Sequence, residues 1–204
     1  MNRNLTSEIA AGPQMNIHDF ANALEKRLKE EVPSAQLKRE AEFERNHVID
    51  PAWELSQAHP EICVSVHPAK KREMCGAGCG GADPSSRVKG CPRCWKESKG
   101  WSAVNAFGTR NNFDLVAKDR EGKILAVEVK WLAFSSGKGP NGEFQRFIGQ
   151  CALAAAIHDE VIGVCGFRGQ PRKKFDEQED AVRKTMRGIG VRLVLVQAKL
   201  NSKK

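Results

Sequence analysis

Apolar residues recur at helical spacing from Ile17 through Phe20, Ala23 and Leu24 to Leu28, ahead of Pro33, and predict an amphipathic helix over 17–28. Phe43, Val48, Ala52 and Leu55 mark the buried stripe of a second helix over 34–56, in which Pro51 stands where it can kink or end the helix. After residue 100 the pattern shortens to runs of strand length, over 101–107, 113–117 and 124–131. A third helix follows over 143–158, with Phe147, Ile148, Cys151, Ala154, Ala155 and Ile157 on its apolar side. A strand over 161–167, a charged helix over 175–186 and a strand over 191–196 complete the chain. Helices, a three-strand meander, then helix, strand, helix and strand predict an α/β sandwich around a mixed sheet.

Two stretches lie outside this pattern. Residues 1–15 carry no apolar period and read as a tail. Residues 57–100 hold clustered cysteines, glycines and basic residues, and read as a module inserted into a core formed by 16–56 and 101–204.

The strand over 124–131 alternates, so Leu125, Val127, Val129 and Trp131 share one face while Glu128 and Lys130 share the other. Upstream, Asp119-Arg120-Glu121-Gly122-Lys123 suits a hairpin in which Asp119 and Lys123 close the loop and Gly122 takes the left-handed bulge position. Counting outward from that closure pairs Asp114 with Glu128 on one sheet face, beside Lys130. Carboxylates directly opposite one another repel, which a divalent cation bound between them would relieve.

Asp114 followed by Glu128-Val129-Lys130 resembles the PD-(D/E)xK nuclease superfamily, with Phe113 where that family usually has proline. The resemblance implies a restriction-endonuclease-like three-layer sandwich with a central mixed sheet and a metal-dependent endonuclease hydrolysing DNA phosphodiester bonds. It implies Mg²⁺ (or Mn²⁺) held by Asp114, Glu128 and the Val129 carbonyl, with Lys130 orienting or activating the attacking water. It also implies an acid on the helix before the sheet and a glutamine on the helix after the lysine strand. Glu44 fits the first on its stripe with Val48 and Ala52, with Glu40 and Glu42 as competitors. Gln150 fits the second ahead of Gln145, with the small Gly149 beside it expected to let the helix approach the sheet.

Cys75-x3-Cys79 and Cys91-x2-Cys94 are paired as in zinc ribbons and knuckles. Four thiolates form the closed tetrahedron of a structural Zn²⁺ site, and a glycine-rich segment with little apolar surface draws its folding energy from such an ion. An iron–sulfur cluster, four reduced thiols, and replacement of one cysteine by His67 are the competing readings. Cys63, Cys151 and Cys165 stand singly in apolar surroundings and are expected to be buried thiols.

Charge sharpens the picture. Thirty-three Lys and Arg against 25 Asp and Glu give a formal net charge of +8, which favours polyanions. Lys70, Lys71, Arg72, Arg93 and Lys96 surround the cysteines and are the candidate DNA-backbone contacts. No apolar run approaches the ~20 residues of a membrane helix, and the N-terminus does not read as a secretory signal, so a cytoplasmic protein is expected. Cutting both strands of a duplex suits a homodimer. The rival readings are a catalytically inactive nucleic-acid-binding or scaffold protein that uses the cysteine module as its contact surface, and a zinc-ribbon subunit that binds a protein partner.

Overall fold

The computed structural model describes residues 14–31, 33, 37, 39–59, 61–66, 103–106, 109–133, 141–168 and 174–198. Helix α1 spans Ile17–Glu30 and buries Ile17, Phe20, Ala21, Leu24 and Leu28, the expected stripe with Ala21 in place of Ala23. Its N-cap is Asn16, whose side chain accepts the Asp19 N–H at 2.9 Å.

The second helical stretch starts later than the pattern suggested and is built in three pieces: α2 (Glu40–Phe43), a π-helical turn (Glu44–Ile49) and α3 (Asp50–Ala58). Pro51 neither ends nor breaks it. It falls in the first turn of α3, directly after a π-turn in which the Asp50 N–H bonds to the Arg45 carbonyl, five residues back. The wider turn accommodates a residue that has no N–H to give.

The remaining elements are β1 (Cys63–Val66), β2 (Ala103–Ala106), β3 (Thr109–Asn112), β4 (Leu115–Lys118), β5 (Ile124–Ala133), α4 (Asn141–Ala155), β6 (Glu160–Arg168), α5 (Lys174–Gly188) and β7 (Val191–Gln197). The main sheet has the order β1-β4-β5-β6-β7. β1, β4 and β5 are antiparallel neighbours, and β6 and β7 continue parallel to β5. The protein is therefore α/β, with a mixed five-stranded sheet.

Two strand expectations change. The run over 101–107 does not enter the main sheet, because β2 pairs with β3 in a separate two-stranded sheet. The outer place beside β4 goes to β1, which lies inside the segment expected to begin the inserted module at residue 57. The sequence rationalises the exchange. Ile62 and Val64 bury apolar side chains there, whereas the AVNA and TRNN of β2 and β3 have too few to cover a sheet face. Cys63 on this strand is disulfide-bonded, unlike the buried free thiols of Cys151 and Cys165.

Alternation along the strands separates two cores. Leu125, Val127, Val129 and Trp131 of β5 pack with Phe20, Leu24, Phe43, Val48 and Ala52 from α1, α2, the π-turn and α3. Ala126 and Leu132 face the other way, with Phe147, Cys151 and Ala154 of α4 and Met186 of α5. Each fully buried large apolar side chain contributes roughly 1.5–3 kcal/mol, so a one-residue slip of β5 would forfeit both faces together. Among the described residues no helix is long and apolar enough to cross a membrane.

Candidate active site

The site grows out of the β4–β5 hairpin. The Asp119 N–H donates to the Lys123 carbonyl at 3.1 Å, and the Gly122 N–H donates to the Asp119 carbonyl at 3.2 Å. Gly122 sits at φ +84°, a region that disfavours residues bearing a Cβ. The expected closure and bulge are both present, and they fix the pairs Lys118 with Ile124 and Leu115 with Val127. Carried one residue past the end of β4, the same register sets Asp114 opposite Glu128. Asp114 Oδ2 accepts the Val129 N–H at 2.8 Å, holding the carboxylate against β5.

Glu128 is 6% exposed and lies on the α4 side of the sheet. Its partner on β6 is Gly163, and the partner of Lys130 is Cys165. A Cβ at Gly163 would lie 2.8 Å from Cys151 Sγ and 3.0 Å from Phe147 Cζ, so this glycine lets α4 settle onto the sheet beside Glu128. Gly149, expected to provide that approach, is instead exposed, and a Cβ there would meet nothing within 4 Å. The close contact is made by the strand, on which the neighbouring glycine carries the constraint.

Cys151 and Cys165 form the floor beneath the polar residues. Burial pushes the Cys151 thiol well up, and the nearby charges of Glu128 and Asp114 push the same way. Burial also raises Cys165, with the Lys130 ammonium partly opposing it. Both thiols stay protonated and inert, which makes them packing groups rather than nucleophiles.

Lys130 Nζ lies 2.8 Å from Glu40 Oε2, and that oxygen also accepts the Trp131 N–H at 3.2 Å. Of the three helix acids, the structure brings Glu40 to the lysine. Glu44, one turn later, is buried at 2% exposure as the π-turn opens, and Glu42 is exposed. The link from Glu40 to Lys130 was not foreseen. Its sequence signal was the spacing of Glu40 and Glu44, one α-helical turn apart and flanking the buried Phe43. Gln150 is half-buried on α4 next to Cys151, while Gln145 is exposed and lines an apolar groove between α4 and α5 with Phe144, Ile148 and Val182. Of the two glutamines, Gln150 is thus the less exposed.

A second groove, at the β7 edge, is lined by Glu25, Lys29, Glu160, Arg183 and Arg192. Two of its cations form an ion-pair network with Glu25 and Glu160: Arg192 meets Glu160 at 2.9 Å and Glu25 at 3.3 Å, Lys29 meets Glu25 at 2.5 Å, and His18 meets Glu160 at 2.6 Å from just outside the groove. This network pins α1 to β6 and β7.

Among the described residues no three His, Cys, Asp or Glu side chains converge as ligands of one metal ion. Mg²⁺ binds through one or two carboxylates and keeps waters on its other positions. Asp114, Glu128 and the Val129 carbonyl are all hard oxygen donors, so their chemistry fits Mg²⁺ or Mn²⁺. Cys75, Cys79, Cys91 and Cys94 lie outside the described residues, as do Lys70, Lys71, Arg72, Arg93 and Lys96. No family model matches this chain, and no curated protein matches it.

Proposed function

We propose that the protein is a metal-dependent endonuclease that hydrolyses DNA phosphodiester bonds, on a restriction-endonuclease-like core of the PD-(D/E)xK kind. The observation that carries the reading is the hairpin register: its last pair is Leu115 with Val127, and one residue further along each strand stand Asp114 and Glu128, with Lys130 two residues beyond on the same strand. The element order supports it as well: a helical layer, three antiparallel strands β1, β4 and β5, a helix, then strands parallel to β5.

In this reading Asp114, Glu128 and the Val129 carbonyl hold Mg²⁺ or Mn²⁺. When bound there, the ion would supply a water of lowered pKa and neutralise charge developing on the phosphate. The chain's own residues do the rest. Lys130 sets a point charge where the scissile phosphate and the attacking water meet. Glu128, nearly shut off from solvent, acts in a medium where charge interactions are stronger than in water. Gln150 on α4 and Glu44 on the π-turn are proposed to orient the water and the substrate. With the Cys63 disulfide reduced, Cys75, Cys79, Cys91 and Cys94 are proposed to hold one structural Zn²⁺, with Lys70, Lys71, Arg72, Arg93 and Lys96 gripping the DNA backbone nearby.

The deciding experiment is cleavage of supercoiled plasmid by the purified chain with Mg²⁺ or Mn²⁺, beside an EDTA control and the Asp114→Ala and Lys130→Ala variants. Nicking or linearisation that EDTA and both substitutions abolish is expected. A folded wild-type chain that leaves plasmid, junction and single-stranded substrates intact overturns the reading in favour of a non-catalytic DNA-binding protein.

A further inference from the structure

The ladder between β4 and β5 ends at Leu115 with Val127, yet β5 continues to Ala133. Past Val127, the backbone N–H groups on that edge have no β4 partner and need acceptors from elsewhere. Two carboxylates supply them in succession: Asp114 takes the Val129 N–H at 2.8 Å, and Glu40 takes the Trp131 N–H at 3.2 Å. The Glu40 oxygen that does this is the same atom that sits 2.8 Å from Lys130 Nζ. A single oxygen therefore fixes both the backbone just beyond Lys130 and the ammonium at the end of its side chain.

Glu40 is itself held in place. Phe43 packs its ring on Trp131 at a centroid distance of 4.8 Å and on His47 at 5.1 Å, which docks α2 and the π-turn on the outer end of β5. Close approach is required there, since a Cβ on Gly166, the β6 partner of Trp131, would lie 2.6 Å from Phe43 Cζ.

We infer that Glu40 is a positioning residue, which clamps β5 and aims the Lys130 ammonium, and is not a ligand of the metal. An oxygen already accepting from an ammonium and an N–H is a poor site for a divalent cation, because the cation would sit against the lysine's like charge. For its effect on cleavage, the inference rests on the nuclease reading above.

Glu40→Gln keeps an oxygen for the Trp131 N–H but removes the charge that Lys130 faces, whereas Glu40→Ala removes both. In the full chain, Trp131 amide hydrogen exchange is expected to speed up about tenfold in Glu40→Ala, the equivalent of one lost hydrogen bond, and to stay within about twofold in Glu40→Gln. Mn²⁺ affinity, read by electron paramagnetic resonance, is expected to stay within about twofold of wild type in both variants, as for a residue outside the ligand set. Plasmid cleavage by Glu40→Gln is expected to lose about 10- to 100-fold in kcat, as for a misplaced group, with KM and half-saturating Mg²⁺ unchanged.

Weaker Mn²⁺ binding by tenfold or more in Glu40→Gln overturns the inference by making Glu40 a ligand. Unchanged Trp131 exchange in Glu40→Ala overturns it by removing the clamp. A wild-type chain that cleaves nothing sinks the nuclease reading, while Trp131 exchange still decides whether the clamp exists.

Discussion

The two ends of the β4–β5 hairpin each hold an aspartate, and the two are used differently. At the turn, Asp119 is 8% exposed and both of its oxygens accept backbone N–H groups, from Lys123 at 2.9 Å and from Ile17, the first residue of α1, at 3.0 Å. Its bonding capacity goes into closing the loop and joining it to a helix 102 residues away in sequence. At the open end, Asp114 stands one residue beyond the last β4–β5 pair, and its Oδ2 accepts the Val129 N–H at 2.8 Å. A carboxylate that stabilises the fold is saturated by donors. Asp114 binds one backbone N–H of β5 and, in the proposed function, carries a second task beside Glu128.

That contrast breaks most sharply in activity. Asp114→Ala or Lys130→Ala is expected to lower plasmid cleavage by on the order of 10³-fold, as for loss of an electrostatic group at a reacting centre, with unfolding free energy lowered by about 1–2 kcal/mol for the bond each gives up. Asp119→Ala is expected to do the reverse. Losing two charge-assisted bonds, one of them to the first residue of a helix, should cost about 2–4 kcal/mol in urea unfolding, with cleavage per folded molecule retained. If Asp119→Ala abolished cleavage at full stability, or Asp114→Ala chiefly unfolded the chain, the division of labour between the two ends would be wrong.

Much of this hairpin was legible in the sequence because its causes are local. Asp119 to Lys123 contains the turn residues that determine the pairing, and strand alternation then carries the register outward to Asp114 and Glu128. What could not be read depended on distant partners. Pro51 looked like a helix end because a π-turn that absorbs it has no clear signature in sequence. β1 was hidden in a segment whose cysteines dominated its composition. Glu40 was one of three candidate acids, and only the docking of α2 against Trp131 brings it, rather than Glu42, to Lys130. Gly149 seemed to be the contact glycine because it adjoins Gln150, yet the glycines that matter are Gly163 and Gly166 on β6.

These two glycines extend the comparison, because each supports a different wall of the site. Gly166→Ala would drive a methyl to 2.5 Å from Trp131 Cε3 and 2.6 Å from Phe43 Cζ, both ring atoms with little room to yield. Gly163→Ala would meet Cys151 Sγ at 2.8 Å. Overpacking of this kind is expected to destabilise by about 1–3 kcal/mol, with Gly166→Ala the worse of the two. Adding Cys151→Ala to Gly163→Ala should recover part of the loss in the same unfolding assay. If it recovers nothing, the clash lies elsewhere than at the α4 contact.

The helical wall carries a pH dependence. His47 is 4% exposed, with Nε2 buried and without a hydrogen-bond partner among the described residues, and burial lowers its pKa, opposed more weakly by Glu31 and the Leu28 backbone. Because the folded value is depressed, the ring is neutral in both states above pH ~6.5, the unfolded value, and its contribution is complete there. As pH falls below that, the unfolded chain takes up a proton that the folded chain refuses, and stability drops until the folded pKa is reached. The slope from His47 is at most about 1.4 kcal/mol per pH unit, and His158, also lowered chiefly by burial, adds in the same direction. Unfolding free energies measured between pH 7.5 and 5 should fall with pH, and His47→Gln should flatten the curve by up to one proton. An unchanged slope in that variant would mean that His47 is not the group resisting protonation.

The smallest effect falls on the glycine that the sequence singled out. Gly149 lies in the interior of α4 and is exposed, and a methyl added there would meet nothing. Its only consequence for stability is then the backbone freedom it surrenders on folding, which alanine would reduce. Gly149→Ala is expected to stabilise the chain by about 0.5–1 kcal/mol and to leave cleavage unchanged, although Gln150 is the next residue. Destabilisation by Gly149→Ala would mean that α4 presents this residue to the sheet, and would count against the role proposed for Gln150 beside it.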